Sequence, residues 1–150
     1  MDRDSLSVPL AYRKILAAFD GSIGSSKALR RSLLIAKDAA SELTVFSVDE
    51  HLPRYARAVG EVEEEPGLRD AYFEHLRDEA LKVAEEYGIP VQIETRVGHA
   101  ALSIVEEARD GGFDLVVIGR AGHSGIWGTL LGSTTDRVVD HATCDVLVVN

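Results

Sequence analysis

The chain has 150 residues, 45% of them hydrophobic and 27% charged, and a chain of this length and balance can bury a core without disulfides or a structural metal. Its formal net charge of -9, with no dense cluster of Lys and Arg, disfavours nucleic acid and anionic membranes as partners, because polyanion binding depends on clustered positive charge. The one cysteine excludes an intrachain disulfide, and no run of residues resembles a signal peptide or a membrane span, so we expect a cytoplasmic protein.

The chain begins with alternating strand and helix patterns. Residues 14–19 (KILAAF) form a short apolar run, which predicts a buried strand. Residues 25–40 carry apolar side chains on one helical stripe, with Ser25 or Ser26 as the expected N-cap. Residues 43–48 (LTVFSV) alternate in polarity and contain β-branched side chains, which predicts a second strand.

The same alternation continues through the middle of the chain. Residues 68–87 have the apolar period of a helix, and Gly88 stands where a helix C-terminus favours glycine. Residues 91–95 (VQIET) alternate as a strand does. Residues 99–109 predict a third helix, whose buried face is expected to carry Leu102, Val105 and Ala108.

The last elements complete an α/β pattern. Residues 115–118 (LVVI) and 146–149 (VLVV) are continuously apolar, which is typical of strands buried on both faces. Between them, residues 133–142 predict a fourth helix that opens with Ser-x-x-Asp, a variant of the capping box. We therefore expect one domain over residues 1–150, a doubly wound α/β fold with a five-stranded parallel sheet and four helices. Residues 49–67 are expected to form a long exposed excursion.

The loop between the fourth strand and the fourth helix is the main candidate site. Glycines stand at positions 119, 122, 125, 128 and 132, followed by Ser133 and Thr134. Ligands of open α/β sheets bind at the carboxyl ends of strands, and a helix N-terminus offers N–H groups to a phosphate that glycines allow to come close. The pattern indicates a phosphate site, and the alternative is a glycine-rich surface loop in which Ser133 only caps the helix.

Asp20 is the second candidate, because it follows the first strand at the same edge of the sheet. Its carboxylate could accept hydrogen bonds from ribose hydroxyls or help to hold a divalent cation. The alternative is an Asp-Gly turn in which the carboxylate binds nearby amides. Position alone leaves both interpretations open.

Gly119, Gly122, Gly132 and Ser133 fit the spacing Gly-x2-Gly-x9-Gly-[Ser/Thr]. With the opening ILAAFDGSIGSSKALRRSLLIA and the ending DHATCDVLVVN, this motif resembles the ATP-binding members of the universal stress protein family. The resemblance implies strand order 3-2-1-4-5 and ATP, or another adenine nucleotide, bound across the strand ends.

The resemblance also implies roles for individual residues. Asp20 would contact the ribose, and the backbone of Val48 would meet the adenine. The phosphates would be enclosed by seven residues of the glycine loop and the helix start: Gly119, Arg120, Ala121, Gly122, Gly132, Ser133 and Thr134. We expect Mg²⁺ or Mn²⁺ to accompany ATP, bound mainly through the phosphates, and predict neither a protein-only metal site nor catalytic residues.

The leading hypothesis is a regulatory, ATP-binding stress-response protein with at most slow ATP hydrolysis. The alternatives are a slow ATPase or nucleotidyl-transfer enzyme, a flavodoxin-like electron carrier, and an interaction module without a ligand. The glycine loop contains no Lys and follows strand four instead of strand one, which disfavours the first two. In the implied strand order residues 146–149 lie at a sheet edge, which predicts a homodimer through the C-terminal strand.

Overall fold

The computed structural model of the chain describes residues 11–50, 66–120 and 132–150. The strands of this part are β1 (Lys14–Ala18), β2 (Glu42–Asp49), β3 (Gln92–Val97), β4 (Leu115–Gly119) and β5 (Asp145–Val149). The helices are α1 (Ile23–Ala39), α2 (Pro66–Tyr87), α3 (Ala100–Asp110) and α4 (Ser133–His141). The predicted excursion over residues 49–67 falls largely outside the described residues, as do Ala121 and Gly122 of the predicted site.

The five strands form one sheet in the order β3-β2-β1-β4-β5, and every neighbouring pair is parallel. This confirms the predicted fold class, including the strand order. Each strand connects to the next through a helix, so the chain crosses from the centre of the sheet to one edge and then to the other. Such a reversal of direction creates a crevice at the carboxyl ends of the central strands.

The core has one layer on each face of the sheet, because alternate residues of a strand point to opposite faces. Ile15 and Ala17 of β1 belong to the layer that α1 and α2 cover. Leu16 and Ala18 belong to the layer that α3 and α4 cover. Strands β1 and β4 are thus buried on both faces, as predicted. Residues 146–149, for which the same burial was predicted, are only half-buried because β5 lies at an edge of the sheet.

Two predicted helix starts are wrong. Helix α1 is capped by Ser22, whose Oγ accepts a hydrogen bond from the backbone N of Ser25 at 3.2 Å, and not by Ser25 or Ser26. Helix α4 is capped by Gly132, so Ser133 is its first helical residue and no capping box forms. Helix α1 thus begins before the serines that were expected to cap it, and α4 begins at its expected cap residue, Ser133.

The predicted buried face of α3 is wrong at Leu102, whereas Ala108 is buried and Val105 packs against the core as predicted. Ile104 and Ala108, four residues apart, face the core, whereas Leu102 is 55% exposed. Two residues along a helix turn the side chain by more than half a circle, so Leu102 and Ile104 cannot share a face. In the described ranges, no helix is both long enough and apolar enough to cross a membrane.

Candidate functional site

A cavity of about 690 Å³ lies at the carboxyl edge of the sheet. The ends of β1, β2 and β4 form its floor, and residues from all four helices form its walls. The lining includes six of the nine predicted site residues: Asp20, Val48, Gly119, Gly132, Ser133 and Thr134. Residues separated by more than a hundred positions in the sequence are therefore brought to one cavity.

Arg120, the seventh predicted residue within the described part, is not among the lining residues. Its backbone N donates to the carbonyl of Val149 at 3.0 Å, and its Nη1 lies 3.5 Å from Oδ1 of Asn150. Its carbonyl accepts a hydrogen bond from the backbone N of Gly132 at 2.9 Å. Arg120 thus joins the start of α4 to the last strand, and a role beside phosphates stays a prediction.

The N-terminus of α4 opens onto the cavity. Its N-cap, Gly132, has extended backbone angles and no side chain that could accept a hydrogen bond from the first turn. Ser133 and Thr134 follow in that turn and line the cavity. Thr135 holds this end of the helix in place, because its buried hydroxyl donates to the carbonyl of Gly119 at 2.7 Å. The arrangement presents backbone N–H groups and two hydroxyls to a ligand.

The N-termini of α1 and α3 also reach the cavity, but each is bound by a side chain of the protein. At α1 the acceptor is Ser22 Oγ. At α3 the acceptor is Glu50 Oε1, which receives a hydrogen bond from the backbone N of Ala100 at 2.9 Å. Of these three helix starts, the one at α4 is therefore best suited to accept an external anion.

Asp20 is held in a defined position at the end of β1. Its Oδ1 accepts a hydrogen bond from the backbone N of Ser22 at 2.9 Å, and its own backbone N donates to Ser25 Oγ at 3.2 Å. Its carbonyl accepts a hydrogen bond from the hydroxyl of Tyr72 at 2.8 Å. The predicted turn is present, and the exposed carboxylate lines the cavity as well. The two interpretations of Asp20 are compatible.

Gly119 is required by packing. A Cβ atom at this position would lie 2.6 Å from the backbone C and 2.7 Å from the backbone O of Gly24, and 3.0 Å from the backbone N of Ser25. The end of β4 therefore contacts the first turn of α1 too closely for any side chain. Close approach of a phosphate was the predicted reason for this glycine, whereas the structure gives a steric reason within the protein.

The α2 wall of the cavity was missed by sequence reasoning. It consists of Leu68, Arg69, Tyr72, Phe73 and Leu76. Arg69 forms an ion pair with Asp49 at the end of β2. Leu68 and Tyr72 belong to the apolar period of this helix, but they are 65% and 44% exposed. The apolar period of α2 predicts a helix, but it does not indicate that the N-terminal half of this helix borders a cavity.

The charged groups of the described lining are two carboxylates and one guanidinium. Asp20 and Glu50 bring negative charge, and Arg69 brings positive charge that its partner Asp49 offsets. Within the described residues, no group of three or more His, Cys, Asp or Glu side chains is placed to hold a metal ion.

Comparison with known proteins gives one consistent result. The sequence model of the universal stress protein family matches residues 11–150. A universal stress protein of Methanocaldococcus jannaschii is 34% identical over 139 residues, which cover 92% of this chain and 82% of that protein.

Solved structures agree with the sequence comparison. The universal stress protein UspA of Lactobacillus plantarum superposes with a TM-score of 0.76 at 26% identity, covering 95% of this chain and 100% of that one. A universal stress protein in complex with cAMP superposes with a TM-score of 0.73 at 28% identity, covering 93% of this chain and 98% of that one.

Proposed function

The chain belongs to the universal stress protein family, and from this premise we propose that it binds ATP, or another adenine nucleotide, as a regulatory protein of the stress response. The nucleotide lies in the cavity at the carboxyl edge of the sheet, with its phosphates at the N-terminus of α4. The relative that was solved with cAMP supports an adenine nucleotide as the class of ligand.

The observation that carries this proposal is the start of α4. Gly132 leaves the first turn without a side-chain cap, and Ser133 and Thr134 add hydroxyl donors beside the backbone N–H groups. A phosphate at this position gains hydrogen bonds and the favourable end of the helix dipole.

The nucleoside extends from these phosphates towards Asp20 and Val48, and their position in the lining of the same cavity supports this. Asp20 lies at the end of β1, next to β4, and accepts hydrogen bonds from the ribose hydroxyls. Val48 lies on β2 beyond Phe46, the last residue of β2 that pairs with β1. Its backbone can therefore face the cavity and meet the adenine.

The nucleotide binds together with Mg²⁺ or Mn²⁺, held mainly by the phosphates. Asp20 and Glu50 already make the described lining acidic, and Asp49 offsets the charge of Arg69. A divalent ion neutralises part of the phosphate charge that ATP adds. Equal ATP affinity with and without EDTA would contradict this part of the proposal.

The role is regulatory and not enzymatic. Phosphoryl transfer needs positioned positive charge around the transition state, and the ligand groups proposed here are mainly backbone amides, hydroxyls and one carboxylate. Any ATP hydrolysis is expected below ~1 s⁻¹, the low end for typical enzymes. ATP hydrolysis at tens per second, lost in the Asp20→Ala variant, would show that the protein is an enzyme.

We also propose that the protein is a cytoplasmic homodimer joined through β5. This strand is an edge of the described sheet, and its residues Val146–Val149 are half-buried. Pairing of β5 with its copy would satisfy its outer backbone groups and cover apolar side chains in a two-fold contact.

The direct test of ligand identity is to denature the purified protein and to identify any released nucleotide by mass spectrometry. The nucleotide-free protein is then titrated with ATP and, as a control, with GTP. Release or tight binding of an adenine nucleotide is the expected result. Failure of ATP and other adenine nucleotides to bind would refute the proposed function.

A further inference from the structure

Helix α2 contacts the carboxyl edge of the sheet through three side chains on one face. Arg69, Tyr72 and Leu76 are spaced by three and four residues, which aligns them along the helix. Arg69 binds Asp49 at the end of β2. Tyr72 and Leu76 reach the turn after β1, where a Cβ atom on Gly21 would lie 2.7 Å from Leu76 Cδ2 and 3.7 Å from Tyr72 Oη. The first half of α2 is thus fitted against the predicted ribose-binding turn.

The hydrogen bond from Tyr72 is made to the peptide that precedes the glycine of that turn. It is accepted by the carbonyl of Asp20, which belongs to the peptide that links Asp20 to Gly21. Gly21 has a φ of +82° and, as a glycine, is free to adopt many other values. Asp20 also accepts a hydrogen bond from the backbone N of Ser22 and donates one to Ser25 Oγ, and both serines lie at the start of α1. Tyr72 is 52 residues away and anchors the turn from a separate element.

Burial alone does not account for the position of Tyr72. Its side chain is 44% exposed, yet it lines the cavity. Its ring packs edge-on against the ring of Phe73, with the two ring centroids 5.3 Å apart. Desolvation and then the charge of Asp20 raise the pKa of the Tyr72 hydroxyl above its usual value. The hydroxyl therefore stays protonated, and able to donate, throughout the neutral range.

We propose that Tyr72 is a positioning residue for nucleotide binding, whose hydroxyl fixes the Asp20–Gly21 peptide so that the Asp20 carboxylate meets the ribose hydroxyls. This inference rests on the proposed function. Tyr72 acts through Asp20, so its effect depends on the presence of both Asp20 and the ribose hydroxyls.

The test is Tyr72→Phe, which keeps the ring and removes only the hydroxyl. We expect the dissociation constant of ATP, measured by titration calorimetry, to rise about fivefold, as the loss of one neutral hydrogen bond implies. The dissociation constant of 2′,3′-dideoxy-ATP is expected to change less than twofold. Tyr87→Phe is the matched control, because Tyr87 is the last residue of α2 and is not among the cavity-lining residues. It should bind both ligands as the wild type does.

A double-mutant cycle separates positioning from direct contact. In an Asp20→Ala background, Tyr72→Phe is expected to cause no further loss of ATP affinity. A further loss there would mean that Tyr72 contacts the nucleotide itself, which would overturn the inference. Equal losses for ATP and 2′,3′-dideoxy-ATP, or no loss for either, would also overturn it.

The result also distinguishes this inference from the proposed function. If the wild type binds neither ligand, both fail together. If the wild type binds ATP and Asp20→Ala weakens that binding, but Tyr72→Phe does not, only the role of Tyr72 is refuted.

Discussion

At the scale of single residues, Ser22 and Ser133 stand at comparable places, each near the start of a helix that borders the cavity. Ser22 is buried and its hydroxyl caps α1, whereas Ser133 is exposed in the first turn of α4 and caps nothing. The expectation that Ser133 acts as a cap assigned the role to the wrong residue. Its hydroxyl is available for a ligand because Gly132 occupies the N-cap position.

These roles predict opposite effects of two serine substitutions. Ser22→Ala should lower the free energy of unfolding by about 1 kcal/mol, because it removes a helix cap. Ser133→Ala should change it by less than ~0.5 kcal/mol, as is usual for an exposed side chain, and should weaken ATP binding instead. Urea unfolding and titration calorimetry on both variants measure the two effects. A large loss of stability in Ser133→Ala, with unchanged affinity, would contradict the assignment.

Gly119 gives a second prediction at this scale. Gly119→Ala should lower the free energy of unfolding by about 1–3 kcal/mol, since the new methyl group meets the backbone of α1. Gly67→Ala is the matched control. A Cβ at Gly67 has no atom within 4 Å, so that variant should be unchanged or more stable by a few tenths of a kcal/mol. Equal stability of the two variants in urea would refute the steric explanation.

Part of the cavity lining was predictable from the sequence because the residues concerned lie at the end of a strand or at the start of a helix. Asp20, Gly119 and Gly132 were predicted at the carboxyl edge from their positions after β1 and around β4, and the structure places all three in the cavity lining. Arg69 and Tyr72 could not be found in this way. Their contacts depend on how α2 packs across the sheet, and nothing in its helical period reveals that.

At the scale of elements, strand β3 and helix α3 are joined by a small charged cluster. Arg96 of β3 forms an ion pair with Glu107 of α3 and lies over the ring of Phe46. Glu94 lies near the same carboxylate. Burial, followed by the charge of Glu107 and a hydrogen bond with it, raises the pKa of Glu94, although Arg96 and Lys14 oppose the shift. The ionised form of Glu94 is therefore less favourable in the folded chain than in the unfolded one.

This shift predicts a pH-dependent effect of Glu94→Gln. A raised pKa means that the folded state binds more protons than the unfolded state, so Glu94 lowers stability as the pH rises from 4.5, its pKa in the unfolded chain, through its higher pKa in the folded chain. Glu94→Gln should therefore be more stable than the wild type at neutral pH, with a difference that shrinks as the pH falls below 4.5. Urea unfolding of both proteins at neutral pH and below pH 4.5 measures this difference in the free energy of unfolding. Glu85→Gln, on the exposed side of α2, controls for the loss of one negative charge.

Most strands and helices were predictable from the pattern of apolar residues, and the errors arose where that pattern was ambiguous. The strands were found because their apolar runs are short and bounded, and every predicted strand is present within two residues of its expected ends. On α3 only Leu102 was misassigned, because Leu102 and Ile104 are both apolar and packing against the sheet decides between them. Half-exposed Leu102 has no sequence signal that separates it from a core leucine.

At the scale of the whole molecule, the homodimer can be tested with substitutions on the two edge strands. Val148→Lys in β5 should place a charge in the proposed contact and convert the dimer to a monomer. Val97→Lys is the matched control, because Val97 belongs to β3 at the opposite edge and is 66% exposed. Light scattering at micromolar concentration should give about twice the chain mass of 16.3 kDa for the wild type and for Val97→Lys. A wild-type mass near 16.3 kDa would refute the dimer.

The central claim is that an adenine nucleotide binds with its phosphates at the N-terminus of α4, and titration calorimetry with ATP on matched glycine variants tests it most directly. We expect micromolar binding to the wild type, on the order of -8 kcal/mol. Binding to Gly132→Val should be at least tenfold weaker, because its branched side chain would stand where the phosphates approach. Gly67→Val, at an open position on α2, should bind ATP as the wild type does. Wild-type affinity in a folded Gly132→Val variant would contradict the claim.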